Sequence, residues 1–282
     1  MQARKTPLLV LLGPTAVGKT ALSLQLAERL GTEIISGDSM LVYRGFDIGS
    51  AKPRAEECAR VPHHLVDVLD ADAPFSVTEF VARVSGIAAR RGNARVHRFL
   101  AHRDPAAAEQ IHANNLRRVI RAIEVARYGD ESISRARAME HGTMPYDALV
   151  IGLMRERSHL YARINERVEA MFAAGLCEEV QHLLDRGVRR DAPAMKGIGY
   201  KETAAYLAGE ITRAEAIAAV QTATRHFAKR QLTWYRRMPY IRWYDADAWT
   251  EPELLERILM DIKEWRAKGE AKDDGQDHQS AG

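Results

Sequence analysis

The sequence predicts an α/β fold in which helices flank a parallel sheet. Residues Leu8–Leu12 form a short apolar run that is typical of a buried parallel strand. Residues 19–30 follow with leucines four positions apart, which is the period of a helix that packs one face against a core. A second short strand is predicted at Glu33–Ser36. This strand–helix–strand order favours parallel pairing.

The turn between the first strand and the first helix has the pattern GxxxxGK[ST]. Its glycines let backbone N–H groups turn inward, and the helix that follows points its positive end at a bound anion. In such a loop the lysine supplies a positive charge and the final hydroxyl is a magnesium ligand. We therefore predict a P-loop NTPase-like sheet that binds phosphate through Gly13, Pro14, Thr15, Ala16, Val17, Gly18, Lys19 and Thr20.

Composition sets limits on the class of protein. The 282 residues are 46% apolar and 28% charged with a net charge of +3, a balance typical of a globular domain. The two cysteines, Cys58 and Cys177, lack the spacing of a zinc site or a disulfide framework, which fits a reducing cytosol. No apolar run approaches 18 residues. We expect a cytoplasmic protein without a membrane partner.

The later elements are read from hydrophobic period and capping signals. A helix is predicted at Val77–Arg91, a basic helix at Leu116–Arg127, a strand at Leu149–Leu153, a long helix at Ser158–Asp185 with a break near Gly175, another helix at Ala214–Tyr235 and a strand at Tyr240–Tyr244. We divide the chain into a first part of the core at 1–92, a truncated helical insertion lobe at 93–145, the core continuation with basic helices at 146–266 and a disordered tail at 267–282.

Two carboxylates could act beside the P-loop. Asp38 follows the second strand, so it should lie in the crevice where open α/β sheets bind ligands. It could be a general base or a metal partner, or only a turn residue. Asp67 lies among apolar residues and could cap a loop or help to hold a metal. For the neighbouring His63 and His64 a structural role is favoured over metal binding, because neither has a suggestively spaced third ligand.

A basic and aromatic stretch near the C-terminal end indicates an anionic polymer partner. No Asp or Glu occurs from Ala216 to Tyr244, whereas arginines, lysines and large aromatic residues alternate there. Cations can follow a phosphate backbone and aromatic rings can stack on unpaired bases. The alternative is a solvated basic helix face with its aromatic rings in the core. A second basic cluster lies in the Leu116–Arg127 helix.

Seven segments carry a pattern more specific than any single motif. They are GPTAVGKT at 13–20, SGDSMLVYRGFDIGSAKP at 36–53, PHHLVDVLDADAPFSVTEF at 62–80, DPAAAEQIHANNLRRVIRAIEV at 104–125, GLCEEVQHLL at 175–184, MKGIGYKE at 195–202 and TRHFAKRQLTWYRR at 224–237. In content and order they resemble the tRNA dimethylallyltransferase (tRNA isopentenyltransferase) family. The resemblance covers most of residues 7–245.

The resemblance implies transfer of a dimethylallyl group from dimethylallyl diphosphate to N6 of adenosine 37 in the tRNA anticodon loop. It implies that the P-loop and Arg225 hold the diphosphate, with Mg²⁺ at Thr20, and that Asp38 is the general base. It also implies tRNA contacts from Asp38, Ser39, Met40, Leu41, Arg117, Arg118, Val119, Ile120, Arg121, Lys196, Gly197, Ile198, Gly199, Tyr200 and Lys201. The expected partner is the anticodon stem-loop, bound by a monomer.

The chain departs from the family pattern in two ways. His226 stands where the family usually has Gln, and Lys196 and Lys201 stand where it has Arg. In addition, no strand ending in a GGTGLY-type motif follows the helix that ends at Arg91, although a sheet built from strand–helix–strand units should have a strand there. The alternatives are therefore a catalytically impaired deletion variant that still binds tRNA, and a P-loop small-molecule kinase or NTPase.

Overall fold

The computed structural model describes residues 8–75, 79, 80, 83 and 148–277. This part of the chain contains five strands, β1 (Leu8–Leu12), β2 (Ile34–Ile35), β3 (His63–His64), β4 (Ala148–Met154) and β5 (Arg242–Asp245). Strands β1, β4 and β5 form a parallel sheet in the order β1-β4-β5, with Val10 opposite Val150. Strands β2 and β3 pair in parallel as a separate sheet. The predicted parallel α/β sheet is therefore confirmed.

Seven helices accompany these strands in the described residues. They are α1 (Lys19–Leu30), α2 (Ala55–Arg60), α3 (Arg157–Ala173), α4 (Leu176–Asp185), α5 (Tyr200–Leu207), α6 (Arg213–Tyr235) and α7 (Glu251–Asp277), with a 3-10 turn at Ala194–Lys196. The predicted break at Gly175 is confirmed, because this residue has a φ of 103° and separates α3 from α4. Helix α6 begins at a capping box, in which Thr212 and Glu215 each accept the other's backbone N–H.

Helix α3 connects two hydrophobic cores. Its Ile164 belongs to the core under the three-stranded sheet, where it packs with Ile151 of β4 and Ile258 of α7. Its Val168, one turn later, belongs to a second core that contains Phe46 and Tyr200. The ring centroids of Phe46 and Tyr200 are 4.7 Å apart. Residues four apart lie on the same face of a helix, so one face of α3 packs into both cores. This packing fixes the position of the loop region around Phe46 relative to the sheet.

A half-buried carboxylate holds the loop after Phe46. Glu179 of α4 accepts the backbone N–H groups of Asp47 at 3.1 Å, Ile48 at 2.7 Å and Gly49 at 3.3 Å. The Tyr200 hydroxyl donates to the same carboxylate at 2.8 Å and accepts the N–H of Ser50 at 3.1 Å. A Cβ atom on Gly49 would lie 2.6 Å from the Tyr200 ring. This Glu179 clamp attaches the segment 47–50, close to Asp38 in sequence, to α4 and α5.

Several predictions fall outside the described residues. The insertion lobe at 93–145 and the basic helix Leu116–Arg127 are among them, and of the helix Val77–Arg91 only Glu79, Phe80 and Arg83 are described, all as helical. The structure differs from the expected disordered tail, because α7 continues through 267–277 as helix. In the described part of the chain, no helix has both the length and the apolar character of a membrane span.

Candidate active site

The P-loop joins β1 to α1 through a turn that depends on its first glycine. Gly13 has a φ of 151°, and a Cβ there would lie 2.7 Å from the carbonyl oxygen of Leu153 in β4. Gly18, the residue before α1, has a φ of 114°. The first N–H groups of α1 have no acceptor within the helix, so they remain available to an anion at this end. The sequence pattern thus forms a turn with the backbone conformation expected of a P-loop, and its binding of phosphate stays a prediction.

Lys19 lies inside the loop in this structure. Its Nζ donates to the carbonyl oxygens of Gly13 at 2.8 Å and Pro14 at 2.9 Å. Burial lowers the pKa of Lys19 to about 8, the Asp38 carboxylate acts against this lowering, and Arg167 adds to it. An anion in the loop would give the ammonium group a charged partner and favour its protonated form.

Side chains from three other segments hold the loop from outside. Arg155, just after β4, donates its Nε–H to the carbonyl of Val17, and Arg163 of α3 donates to the carbonyl of Ala16, each at 3.1 Å. Gln231 of α6 accepts the N–H of Thr15 at 3.0 Å. These contacts matter because Ala16 adopts a φ of 64°, a conformation that costs energy for a residue with a side chain.

Asp38 lies after β2 and is exposed. Its Oδ1 accepts the N–H of Met40 at 2.8 Å, and its own N–H donates to the Ser36 hydroxyl at 3.2 Å. The residue therefore forms the turn that was considered as its alternative role. This turn leaves the second carboxylate oxygen without a hydrogen bond among the described residues, which is compatible with accepting a proton.

Three groups lie within electrostatic reach of Asp38, each on a different element. They are Lys19 of α1, Arg167 of α3 and Tyr235 of α6. Burial lowers the pKa of Arg167, and the Asp38 charge opposes that change. Burial raises the pKa of Tyr235, and Asp38 adds to the increase. The carboxylate and the P-loop lysine are thus parts of one charged site.

Sequence reasoning missed Arg167 as a member of this site. One signal was present, because Arg167 follows Arg163 by four residues and so shares its side of α3. By contrast, the structure does not bring Arg225 into contact with the P-loop. The Arg225 guanidinium donates to Asn165 of α3 and to Thr222, each at 2.9 Å. Its role in diphosphate binding stays a prediction, and Arg167 is the arginine whose charge acts on Lys19.

Two of the segments expected to contact tRNA lie next to each other. The Met40 side chain packs on Gly197, where an added Cβ would lie 2.6 Å from its terminal methyl group. Asp38, Ser39, Lys196 and Lys201 are exposed. Tyr200, however, is fully buried, so its side chain supports the fold and cannot itself touch RNA. The third segment, Arg117, Arg118, Val119, Ile120 and Arg121, lies outside the described residues.

The outer face of α6 is cationic and aromatic. A cavity of about 430 Å³ opens on it, lined by His226, Lys229, Arg230, Thr233, Trp234 and Arg237. Trp234 is 60% exposed, and Phe227 nearby is 39% exposed with Arg230 over its ring. These two rings are therefore not core residues, contrary to the alternative reading of the stretch.

The other candidate metal ligands have structural partners. Asp67 and Asp47 share the buried ammonium group of Lys52, with N–O distances of 2.5 and 2.6 Å. His63 Nδ1 lies 2.7 Å from the Val61 carbonyl, and His64 Nε2 lies 2.8 Å from Glu33. Asp67 is thus occupied as a structural ion-pair partner, and both histidines have the structural roles that were favoured.

The described side chains near the P-loop could hold a divalent metal ion that keeps most of its water ligands. They do not form a site in which protein groups surround the ion. Within the described residues, no three His, Cys, Asp or Glu side chains lie together as a metal site. Thr20 is exposed in the first turn of α1, where its hydroxyl can reach an ion beside a bound phosphate. Magnesium commonly keeps several waters and binds substrate phosphates with few protein ligands, so Thr20 suits it.

Comparison with known proteins supplies independent evidence. The family model described as IPP transferase matches residues 41–90 and 82–238. A tRNA dimethylallyltransferase of Symbiobacterium thermophilum is 41% identical over 304 residues, covering 92% of this chain and 94% of the relative. That alignment is longer than the 282-residue chain, so the relative has residues without a counterpart here. The two matched segments overlap at 82–90, within the predicted helix that the missing strand was expected to follow.

Two crystal structures of similar proteins have the same fold. The tRNA delta(2)-isopentenylpyrophosphate transferase of Staphylococcus epidermidis superposes with a TM-score of 0.72 at 35% identity, covering 92% of this chain and all of the other. The full-length tRNA isopentenylpyrophosphate transferase of Bacillus halodurans gives 0.70 at 35% identity, with 96% and 100% covered.

Proposed function

The chain belongs to the IPP transferase family, and from this we propose that it transfers a dimethylallyl group from dimethylallyl diphosphate to N6 of adenosine 37 in the tRNA anticodon loop. The observation that carries the proposal is the shared site of Lys19 and Asp38, in which a phosphate-binding loop adjoins a carboxylate. A kinase or NTPase site would not explain the cationic and aromatic face of α6.

The reaction needs one bond broken, one formed and one proton moved. The bond between C1 of the allyl group and the diphosphate oxygen breaks, and negative charge collects on the leaving group. Lys19, Arg167 and the N–H groups at the start of α1 stabilise that charge. Adenine N6 attacks C1, and the Asp38 carboxylate accepts the proton that N6 loses. The base must leave its stack to reach this site.

A divalent cation, which we propose is Mg²⁺, would be held by the Thr20 hydroxyl with diphosphate oxygens and water, and it would neutralise part of the leaving group's charge. Exposed Lys196, Lys201 and the outer face of α6 are proposed to follow the RNA backbone. We propose that the protein acts as a cytoplasmic monomer.

The test is a transfer assay with radiolabelled dimethylallyl diphosphate and an anticodon stem-loop. We expect label in N6-isopentenyladenosine, and no label in a stem-loop with guanosine at position 37. Salt-sensitive stem-loop binding without product would contradict the proposed transfer and indicate a catalytically impaired RNA-binding protein. ATP turnover without RNA would contradict it in favour of a kinase or NTPase.

A further inference from the structure

Gln231 connects the RNA-facing helix to the donor loop. It lies on α6, and its Oε1 accepts the N–H of Thr15, a residue 216 positions earlier in the chain. In the described residues, this is the side chain that accepts a hydrogen bond from a P-loop N–H. Neither the P-loop motif nor the period of α6 predicts this contact, because both are local patterns.

Gln231 acts on the P-loop and on Tyr235. Its Oε1 accepts the Thr15 N–H, and its interaction with the Tyr235 hydroxyl lowers the pKa of that hydroxyl against the larger effect of burial, which raises it. Tyr235 in turn lies within electrostatic reach of Asp38.

The two sides of α6 therefore face different parts of the site. Gln231 and Tyr235 follow the fully buried Ala228 by three and seven positions, so they lie on its side of the helix, the inner side. The cationic and aromatic residues that line the 430 Å³ cavity lie on the outer side. A hydrogen bond from this helix to Thr15 thus fixes the P-loop relative to the surface proposed to bind RNA.

The loop needs such support because its conformation is strained. Ala16, next to Thr15, has a φ of 64°, and the arginines at 155 and 163 hold only the carbonyl side of the loop. We infer that Gln231 is a positioning residue for the donor diphosphate, which keeps the P-loop in its binding conformation through the N–H of Thr15. This inference rests on the proposed function, because it takes the diphosphate as the ligand of the loop.

The test replaces Gln231 with Met, which keeps the length of the side chain and removes the amide. We expect the dissociation constant of inorganic pyrophosphate with Mg²⁺, measured by calorimetry, to rise about fivefold to tenfold, as the loss of one hydrogen bond predicts. Gln221→Met is the matched control, because Gln221 lies on the same helix and its amide donates a hydrogen bond to Glu169, away from the P-loop. It should leave pyrophosphate binding unchanged.

Further measurements separate positioning from a loss of fold. Gln231→Asn keeps an amide that is too short to reach Thr15, so it should weaken pyrophosphate binding as Gln231→Met does. In the transfer assay the KM for dimethylallyl diphosphate should rise with kcat and stem-loop affinity little changed.

Unchanged pyrophosphate affinity in a folded Gln231→Met or Gln231→Asn protein would overturn the inference. So would an equal loss in Gln221→Met. Weaker pyrophosphate binding in Gln231→Met with no prenyl transfer by the wild-type chain would contradict the proposed function and leave this role of Gln231 supported.

Discussion

At the scale of single residues, the site depends on two opposite charges supplied by different elements. The Asp38 carboxylate follows β2, whereas the Lys19 ammonium group begins α1, and each lies in the electrostatic field of the other. Arg167 adds a second positive charge from α3. A leaving diphosphate and a base that accepts a proton need these two signs of charge within one small space.

Asp38→Asn tests the base. Asparagine keeps an oxygen that can accept the Met40 N–H, so the turn should persist while the ability to accept a proton is lost. We expect kcat for prenyl transfer to fall by about 10²–10⁴, the usual contribution of a general base, with stem-loop binding nearly unchanged. Asp70→Asn, which removes only an exposed partner of Arg44, is the control. Wild-type turnover in Asp38→Asn would exclude this role.

Lys19 gives a prediction about pH. Its pKa in the folded chain is about 8, below the 10.5 of an unperturbed lysine, so the empty loop loses its ammonium charge as pH rises through 8. Pyrophosphate affinity should therefore fall above pH 8 in calorimetric titrations. Lys19→Arg stays charged and should lose less affinity over the same range. An equal decline in both proteins would show that the titrating group is elsewhere.

The same shift affects stability, with a sign that follows from linkage. Between pH 8 and 10.5 the unfolded chain binds more protons at Lys19 than the folded chain does. The contribution of Lys19 to the free energy of unfolding therefore rises with pH across that window, and it is unfavourable below it.

At the scale of elements, local patterns predicted α1, α3, α4 and α6 and the strands β1, β2, β4 and β5. They did not predict α2, α5, α7 or β3, and long-range contacts could not be predicted. The break at Gly175 followed from one glycine, and α6 from its hydrophobic period. The contact of Gln231 with Thr15 depends on a packing that no window of sequence contains. Tyr200 lies in a segment expected to contact tRNA, yet its side chain is buried because the Glu179 carboxylate is its partner.

The Glu179 clamp supplies a stability prediction. Glu179→Ala would leave three backbone N–H groups and the Tyr200 hydroxyl without their acceptor. We expect the free energy of unfolding, measured in urea, to fall by about 3 kcal/mol. A fully buried unpaired donor costs about 1–3 kcal/mol, and here loop relaxation and water at the partly exposed donors recover part of the loss. Glu178→Ala, at the exposed neighbouring position, should cost less than about 0.5 kcal/mol. Similar losses in both variants would contradict the role given to the clamp.

At the scale of the whole molecule, the strands of the described residues form two separate sheets, and we call this separation the division of the sheet. In the described residues β1 pairs with β4, and β2 pairs only with β3. Leu8 of β1 is 44% exposed and Ile35 of β2 is 42% exposed, although both are apolar strand residues. The alignment with the Symbiobacterium thermophilum relative spans 304 positions, which is more than the 282 residues of this chain, so the relative has additional residues. If these residues supply a strand between the two sheets, that strand would pair with unpaired backbone groups and cover the exposed apolar side chains.

This division predicts weak stability and weak activity for the chain as it stands. Inserting the additional segment of the Symbiobacterium thermophilum relative after Gly92 should raise the midpoint of urea unfolding and the rate of prenyl transfer. A scrambled segment of equal length is the control. Equal stability and full transfer by the chain without any insertion would refute the prediction.

The pairing of β1 with β4 also affects folding during synthesis, because the two strands are far apart in the sequence. Val10 pairs with Val150, so the first strand leaves the ribosome long before its neighbour exists. Synthesis of the about 140 intervening residues takes on the order of ten seconds at typical translation rates. Throughout that time Leu8–Leu12 is an apolar strand with its hydrogen-bonding edges open, which is the kind of segment that chaperones bind and that aggregates when unprotected. Strand β1 therefore has to stay unpaired and unaggregated in the nascent chain until β4 has been synthesised.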